Sequence, residues 1–108
     1  MKKSEIWLIE LPSINGREQK GTRPAIIMSE AEASIAIVIP FTSNIQALRF
    51  LNTIEVKPSK QNGLADISVA LIFHIRAIDK KRMIRKIGVL EEPIIREANE
   101  MLRKMLDL

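Results

Sequence analysis

From Glu5 to Leu90 the chain is a succession of short apolar, β-branched runs separated by polar turns. Only the segment after Glu91 carries helical spacing. That pattern restricts the fold to short strands closed by one terminal helix. Residues 5–11 (Glu-Ile-Trp-Leu-Ile-Glu-Leu) read as a first strand. Pro12 to Lys20 is polar, holds the turn signal Asn15-Gly16, and is longer than a tight hairpin needs. Arg23–Ser29 and Ser34–Pro40 are near-continuously apolar, which predicts a hairpin buried on both faces. Leu51–Lys57 alternates like a half-exposed strand, and Ser68–Ile78 reads as the longest single strand. Asp79–Arg82 is expected to be a turn or one helical turn, and Met83–Leu90 a last strand. In the terminal helix, Pro93 suits an early position and Glu91 and Glu92 sit at the positive end of the dipole. Ile94, Ile95, Ala98, Met101, Leu102, Met105 and Leu106 form one apolar stripe, wide enough to serve a second surface as well. Six or so strands and one helix favour a small, strongly curved antiparallel barrel over a doubly wound sheet.

Residues 1–108 form one domain on this reading, with no repeat and no linker. Three Phe, one Trp and no Tyr leave an aliphatic core, and in so small a domain an oligomeric contact would add useful burial. The absence of cysteine excludes disulfides and cysteine-based zinc or redox sites. The longest apolar run, Ile35 to Phe41, falls far short of the ~20 residues a membrane helix needs. Met1-Lys2-Lys3 is followed at once by Glu5, unlike a signal peptide, so a cytoplasmic protein is expected. The net charge is +4, and six basic residues between Arg76 and Lys86 face Asp79 alone. Such a run can mark a face for an anion or simply a solvated surface.

Few reaction mechanisms fit this inventory. The single histidine, His74, excludes a paired-histidine metal site or a two-histidine nuclease site within one subunit. No glycine-rich phosphate loop and no Gly-x-Ser-x-Gly elbow occurs. What remains is an arginine where one strand begins, Arg23, and a hydroxyl where the next one ends, Thr42. Around them lie Glu18, Gln19 and Lys20 in the loop, and Ser43 and Asn44 after the strand. Arginine and hydroxyl together suit an anionic oxygen, above all phosphate. They would support RNA cleavage in which the RNA's own 2′-hydroxyl attacks the neighbouring phosphate, with neither a metal nor a protein nucleophile. The guanidinium would stabilise the phosphorane charge, and loss of such a donor typically costs ~3 kcal/mol, about a hundredfold in rate. Taken singly, each residue has a commonplace alternative: a surface salt bridge for Arg23, a backbone-bonded turn for Thr42, a structural role for His74.

In combination, these residues resemble the MazF/PemK (Kid) family of toxin endoribonucleases. The resemblance covers nearly the whole chain. It runs from Trp7 and Leu11-Pro12 through Gly16-Arg17-Glu18-Gln19-Lys20-Gly21-Thr22-Arg23-Pro24, which is similar to the family's Gly-x-Glu-x-x-x-x-Arg-Pro signature. Pro40-Phe41-Thr42-Ser43-Asn44, Asn62-Gly63-Leu64 with Asp66 and Ser68, Ile75-Arg76-Ala77-Ile78-Asp79-Lys80-Lys81-Arg82, and Lys86-Ile87-Gly88-Val89-Leu90 continue it. The resemblance implies a mainly β, SH3-like antiparallel β-barrel (the CcdB/MazF-like type) with a C-terminal α-helix. It implies a homodimer that cleaves single-stranded RNA, as mRNA, at a short sequence without metal or cofactor. The implied products carry a 2′,3′-cyclic phosphate and a 5′-hydroxyl. It also implies an antitoxin whose acidic tail covers the RNA groove. Arg23 and Thr42 become the catalytic pair. Glu18, Gln19, Ser43 and Asn44 line the RNA site, with His74 and Arg76 as further RNA contacts. Four positions depart from the family pattern: His74 replaces a glutamine, Ala77 replaces a threonine, and Leu71 and Phe73 stand where some members carry an arginine and an aspartate with acid–base roles. His74 is one candidate for the missing base, with an RNA contact or a structural role preferred. Two other readings share the fold: a non-cleaving CcdB-like toxin that poisons gyrase by protein contact, and a degenerate relative that keeps only antitoxin binding.

Overall fold

The computed structural model describes residues 1–11 and 21–108. The predicted loop from Pro12 to Lys20, with Glu18, Gln19 and Lys20, lies outside the described residues. The elements are β1 (Glu5–Leu11), β2 (Gly21–Glu32), β3 (Ile35–Thr42), β4 (Thr53–Val56), β5 (Ser68–Leu71), β6 (Arg76–Asp79), β7 (Met83–Val89) and α1 (Glu92–Met105). Short 3-10 turns at Ile45–Arg49, Ile72–His74 and Lys80–Arg82 join them.

All the strand pairings are antiparallel, in the order β4-β5-β3-β2-β1-β7, with β6 also paired to β3. The expected barrel is thus an incompletely closed one: its end strands β4 and β7 are not paired to each other among the described residues. β2 and β3 turn tightly at Ala33-Ser34, and register shifts in the β2–β3 and β1–β7 pairs introduce bulges that bend and coil the sheet.

The central strands are buried on both faces, as their unbroken apolarity predicts. On one face Ile6, Ile26, Ile39, Phe41, Ile54 and Ile72 pack with Ile95 and Ala98 of α1. On the other, Ile9, Ala25, Ile27, Val38 and Ile78 pack with Trp7 and Met83. The α1 stripe is buried at Ile95 and Ala98, half-buried at Met101, Leu102 and Met105, and exposed at Leu106 and Leu108.

One expectation is corrected. Ser68–Ile78 is not a single strand. β5 pairs with the end of β3 (Phe41↔Ala70, Thr42↔Val69) and β6 with its beginning (Ile35↔Asp79, Val38↔Arg76). The two registers differ by three residues, and the 3-10 turn Ile72–His74 takes up that difference. The turn is tied down by Ile72 N–H donating to the Asn52 carbonyl at 3.0 Å and Ile75 N–H donating to the Ile72 carbonyl at 3.1 Å. Pro40, which has no N–H to give a ladder, lies in the gap between the two pairings. The predicted sharing of faces along this run therefore ends at Leu71. The strand expected over Leu51–Lys57 is shorter, Thr53–Val56.

Candidate active site

The β2–β3 register decides which polar groups meet. The β2–β3 ladder ends at Ala25↔Pro40, and the same register continued past its end puts Arg23 and Thr42 at equivalent places. Directly opposed residues of antiparallel strands point to the same side. Arg23 and Thr42 both line one cleft of about 300 Å³, together with Thr22, Pro24, Phe41, Ser43, Leu64, Ala65, Asp66 and Ser68. The sequence-predicted pair is thereby brought together, with Ser43 beside it.

Thr42 is 5% exposed. Its Oγ1 accepts a hydrogen bond from the Asn44 backbone N–H at 3.2 Å. This is the backbone-bonded turn that a threonine after a strand commonly makes. It also fixes the rotamer and leaves the hydroxyl proton free to donate into the cleft. Asn44 itself caps the following turn, its Oδ1 accepting from Gln46 N–H at 3.1 Å. It lies next to the cleft wall and is not among the lining residues.

Arg23 forms no salt bridge among the described residues. Its Nε is buried and has no hydrogen-bond partner among the described residues. Burial lowers the guanidinium pKa from its ordinary value, yet an arginine stays charged across physiological pH. An unpartnered buried donor costs about 1–3 kcal/mol. Here it belongs to a cation opening on a cleft, the arrangement of a site that awaits an anion.

The far wall is held by a separate device. Asn62 is fully buried. Its Oδ1 accepts from the N–H groups of Ser59 and Leu64, both at 3.0 Å. Its Nδ2 donates to the Lys57 carbonyl at 2.9 Å and to Glu91 Oε1 at 3.2 Å. Ser59 Oγ donates to Glu91 Oε2 at 2.6 Å. The Glu91 carboxylate is pushed up by burial, but the hydrogen bonds from Ser59, its own backbone N–H and Asn62 outweigh this and hold its pKa below the ordinary value. Gly63 follows at φ +70°, and a Cβ there would overlap the Ile87 carbonyl. A Cβ at Gly88 would run into the Asn62 backbone. The Asn62-Gly63 turn is thus locked to β7 and to the start of α1, and the next three residues, Leu64, Ala65 and Asp66, form cleft wall.

Asp66 and Ser68 are cleft residues that the site prediction did not include. Their match to the turn before the long apolar run was the available signal. Ser68 Oγ donates to the Asp66 carbonyl at 2.9 Å. His74 and Arg76 do not line the cleft: His74 is exposed beyond β5, and Arg76 is half-buried on β6. Half of the basic run is neutralised by acidic residues of β1 and β2. Lys80 meets Glu30 at 2.6 Å, Lys86 meets Glu5 at 3.3 Å and Arg82 meets Glu10 at 3.7 Å.

Comparison with known proteins places the chain in a family. The model of a family described as "PemK-like, MazF-like toxin of type II toxin-antitoxin system" matches residues 2–106. The chain belongs to this family. It is similar to the endoribonuclease EndoA of Bacillus subtilis, with 30% identity across the whole chain and 96% of that protein. It is also similar to the endoribonuclease MazF of Staphylococcus saprophyticus, with 29% identity across the whole chain and 92% of that protein. Among solved structures, MazF (Form-I) from Deinococcus radiodurans superposes with a TM-score of 0.80 at 20% identity, covering 100% of this chain and 97% of that one. A MazE–MazF structure (Form-II) from the same organism gives a TM-score of 0.74 at 21% identity, covering 100% of this chain and 96% of that one. The PemK/MazF-like chain thus has the mainly β fold with one C-terminal helix that its motifs imply. No helix among the described residues is long and apolar enough to cross a membrane.

Proposed function

We propose that this PemK/MazF-like toxin is an endoribonuclease that cuts single-stranded RNA in the Arg23–Thr42 cleft by attack of a 2′-hydroxyl on the adjacent phosphorus. The observation that carries this reading is the Arg23 Nε, buried without a partner among the described residues, in the same cleft as Thr42. The 2′-oxygen forms the new P–O bond and loses its proton to a base. The P–O5′ bond breaks, and the leaving oxygen takes up a proton. The products are a 2′,3′-cyclic phosphate and a 5′-hydroxyl. Arg23 donates to the non-bridging oxygens as charge gathers on the phosphorane, and Thr42 donates its hydroxyl proton to the same group to hold it in line. Among the described residues, Asp66 is the carboxylate on the cleft wall, which makes it the candidate to receive the 2′-proton. Ser43, Asn44, Glu18, Gln19 and Lys20 are assigned to the RNA path around this centre, with His74 and Arg76 further along it.

The relatives support two partners. The MazE–MazF structure and an endoribonuclease solved with its cognate antitoxin share this fold. An acidic antitoxin segment that offers carboxylates to Arg23 would compete with the RNA phosphate. The exposed apolar end of α1 suits a second copy of the chain, in a homodimer working in the cytoplasm.

The test is to incubate the purified protein with a long single-stranded RNA in the presence of EDTA. Discrete fragments with 5′-hydroxyl ends, abolished by Arg23→Ala, are the expected result. Intact RNA from a protein that still arrests growth on expression would refute the cleavage reading and favour a protein-binding toxin; intact RNA without arrest would favour a relative that only binds antitoxin.

A further inference from the structure

Few aromatic side chains are available to this protein, yet most of the exposed ring surface gathers in one place. Phe50 is 51% exposed and Phe73 is 36% exposed. Their ring centroids lie 6.0 Å apart with planes inclined at 60°. The His74 imidazole stands edge-on to Phe73 at 4.4 Å and 73°. The Arg49 guanidinium lies over the Phe50 ring, 5.4 Å from its centre. Edge-to-face and tilted rings cover at most one face of a pair, and with Phe50 and Phe73 this exposed, ring surface is left open beside a cation. The core of this protein is aliphatic and has no need of these rings; Phe41 is the one phenylalanine it buries.

The patch is continuous with the cleft along two chain segments. One leaves the cleft at Thr42-Ser43, passes through the 3-10 turn Ile45–Arg49 and ends at Phe50. The other leaves at Ser68, runs through β5 and ends at Phe73 in the turn Ile72–His74. The two rejoin where Phe50 meets Phe73. Val69 sits opposite Thr42. From there to Phe73 is four residues, about 13 Å of extended chain at most. At the ~3.4 Å spacing of a stacked strand that is about four nucleotides.

We propose that Phe73 and Phe50, flanked by His74 and Arg49, are a stacking platform for an unpaired base of the RNA whose phosphate occupies the Arg23–Thr42 cleft. This rests on the ribonuclease reading above. Aromatic faces with an adjacent guanidinium suit unstacked single-stranded bases, which they hold with little base preference of their own. The break in the long apolar run is what makes the platform: a continuous β5–β6 strand would have kept residues 72–74 in the ladder, and the 3-10 turn lifts Phe73 and His74 out of it.

The experiment uses the intact protein and a short single-stranded RNA spanning a mapped cleavage site. The RNA carries a 2′-deoxy nucleotide at the scissile position to block cleavage and 2-aminopurine at each neighbouring position in turn. Stacking on the platform quenches 2-aminopurine at one position. Phe73→Leu and Phe50→Leu keep apolar bulk at exposed sites, remove the ring, and should relieve that quenching and weaken binding about tenfold. Arg49→Gln should weaken binding less. If both leucine variants bind and quench like wild type, while wild type cleaves RNA, the platform is refuted and the cleavage reading survives. If wild type neither binds nor cleaves RNA, both fall. If the leucine variants leave RNA affinity intact and change the sedimentation behaviour, the patch is an interface between copies of the chain and the proposal is overturned.

Discussion

Asn62→Ala should both destabilise the fold and open the cleft, and the size of the effect can be worked from the contacts. Removing the side-chain amide deletes bonds to Ser59, Leu64, Lys57 and Glu91. Their losses are unequal. The Ser59 N–H belongs to an exposed residue and can turn to water. Leu64 is buried, so its N–H is left without a partner at about 1–3 kcal/mol. Glu91 is half-buried and keeps Ser59 Oγ, so the loss of its second donor is worth about 1 kcal/mol, below the full value of a charged hydrogen bond. The sum is about 3 kcal/mol, a large part of the total stability of a small domain.

The assay is urea unfolding at neutral pH, followed by the fluorescence of Trp7, the sole tryptophan. With a denaturant slope of about 1.5 kcal/mol/M, the midpoint should fall by about 2 M. Ser59→Ala should fall by less than half of that, since it leaves Leu64 satisfied. A midpoint loss below about 0.5 M for Asn62→Ala, with the slope unchanged, would refute the claim that this residue pins the turn. Cleavage should also drop under conditions where the variant remains folded, because Leu64, Ala65 and Asp66 are the wall that the turn positions.

Gly88→Ala places a methyl group against the Asn62 backbone, which has no flexible side chain to yield; it should cost at least about 1–3 kcal/mol in the same unfolding assay. Arg23→Lys keeps the charge but loses the planar fork, so cleavage should fall about a hundredfold or more while the unfolding midpoint holds or rises, as the unpaired buried Nε disappears; single-turnover cleavage beside denaturation measures both. Stability should decline in acid. Glu91, through its hydrogen bonds, and Glu5, first through the Trp7 indole and then through Lys2 N–H and Lys86, have folded pKa values below their unfolded ones. Their contribution is full above the unfolded carboxylate range, near pH ~4.3, and is lost as pH falls through the depressed folded values. Urea midpoints between neutral pH and pH ~3 should show this slope, and Glu91→Gln should flatten part of it.

The strands were legible because β-branched runs and turn residues state them locally. Ile26-Ile27 and Val38-Ile39 have only buried solutions, and Pro93 with Glu92 marks the helix start. The break at Ile72–His74 was not legible, because Ile72-Phe73-His74-Ile75 has the composition of a strand. It is imposed by β3, whose two halves take different partners in registers three residues apart. Pro40, in the gap between those pairings, was the available sign. The Arg23–Thr42 site was legible as two loop–strand junctions, and the fold brings both residues to one cleft. Asp66 was harder to see as a site residue, since its place in the cleft depends on the contact of the Asn62 side chain with Glu91, 29 residues further along the chain.

The basic run from Arg76 to Lys86 shows why net charge is a poor guide to the site. Lys80, Arg82 and Lys86 are occupied by Glu30, Glu10 and Glu5, contacts that tie the segment from β6 to β7 to β1 and β2. Partly exposed pairs of this kind add little stability, but each removes a cation from the set available to an incoming polyanion. Arg23 differs by what surrounds it. It lies at a strand start and shares its cleft with the neutral hydroxyl of Thr42, and it has no ion pair among the described residues. A cation held half-buried without a counter-ion keeps its full field for a ligand, and the low-dielectric wall of Phe41 and Leu64 strengthens that field over its value in water. Other cations without an ion pair among the described residues, Arg49, Arg76, Lys81 and Arg85 among them, can draw the strand in, whereas Arg23 is the one placed to act on a phosphate once it arrives.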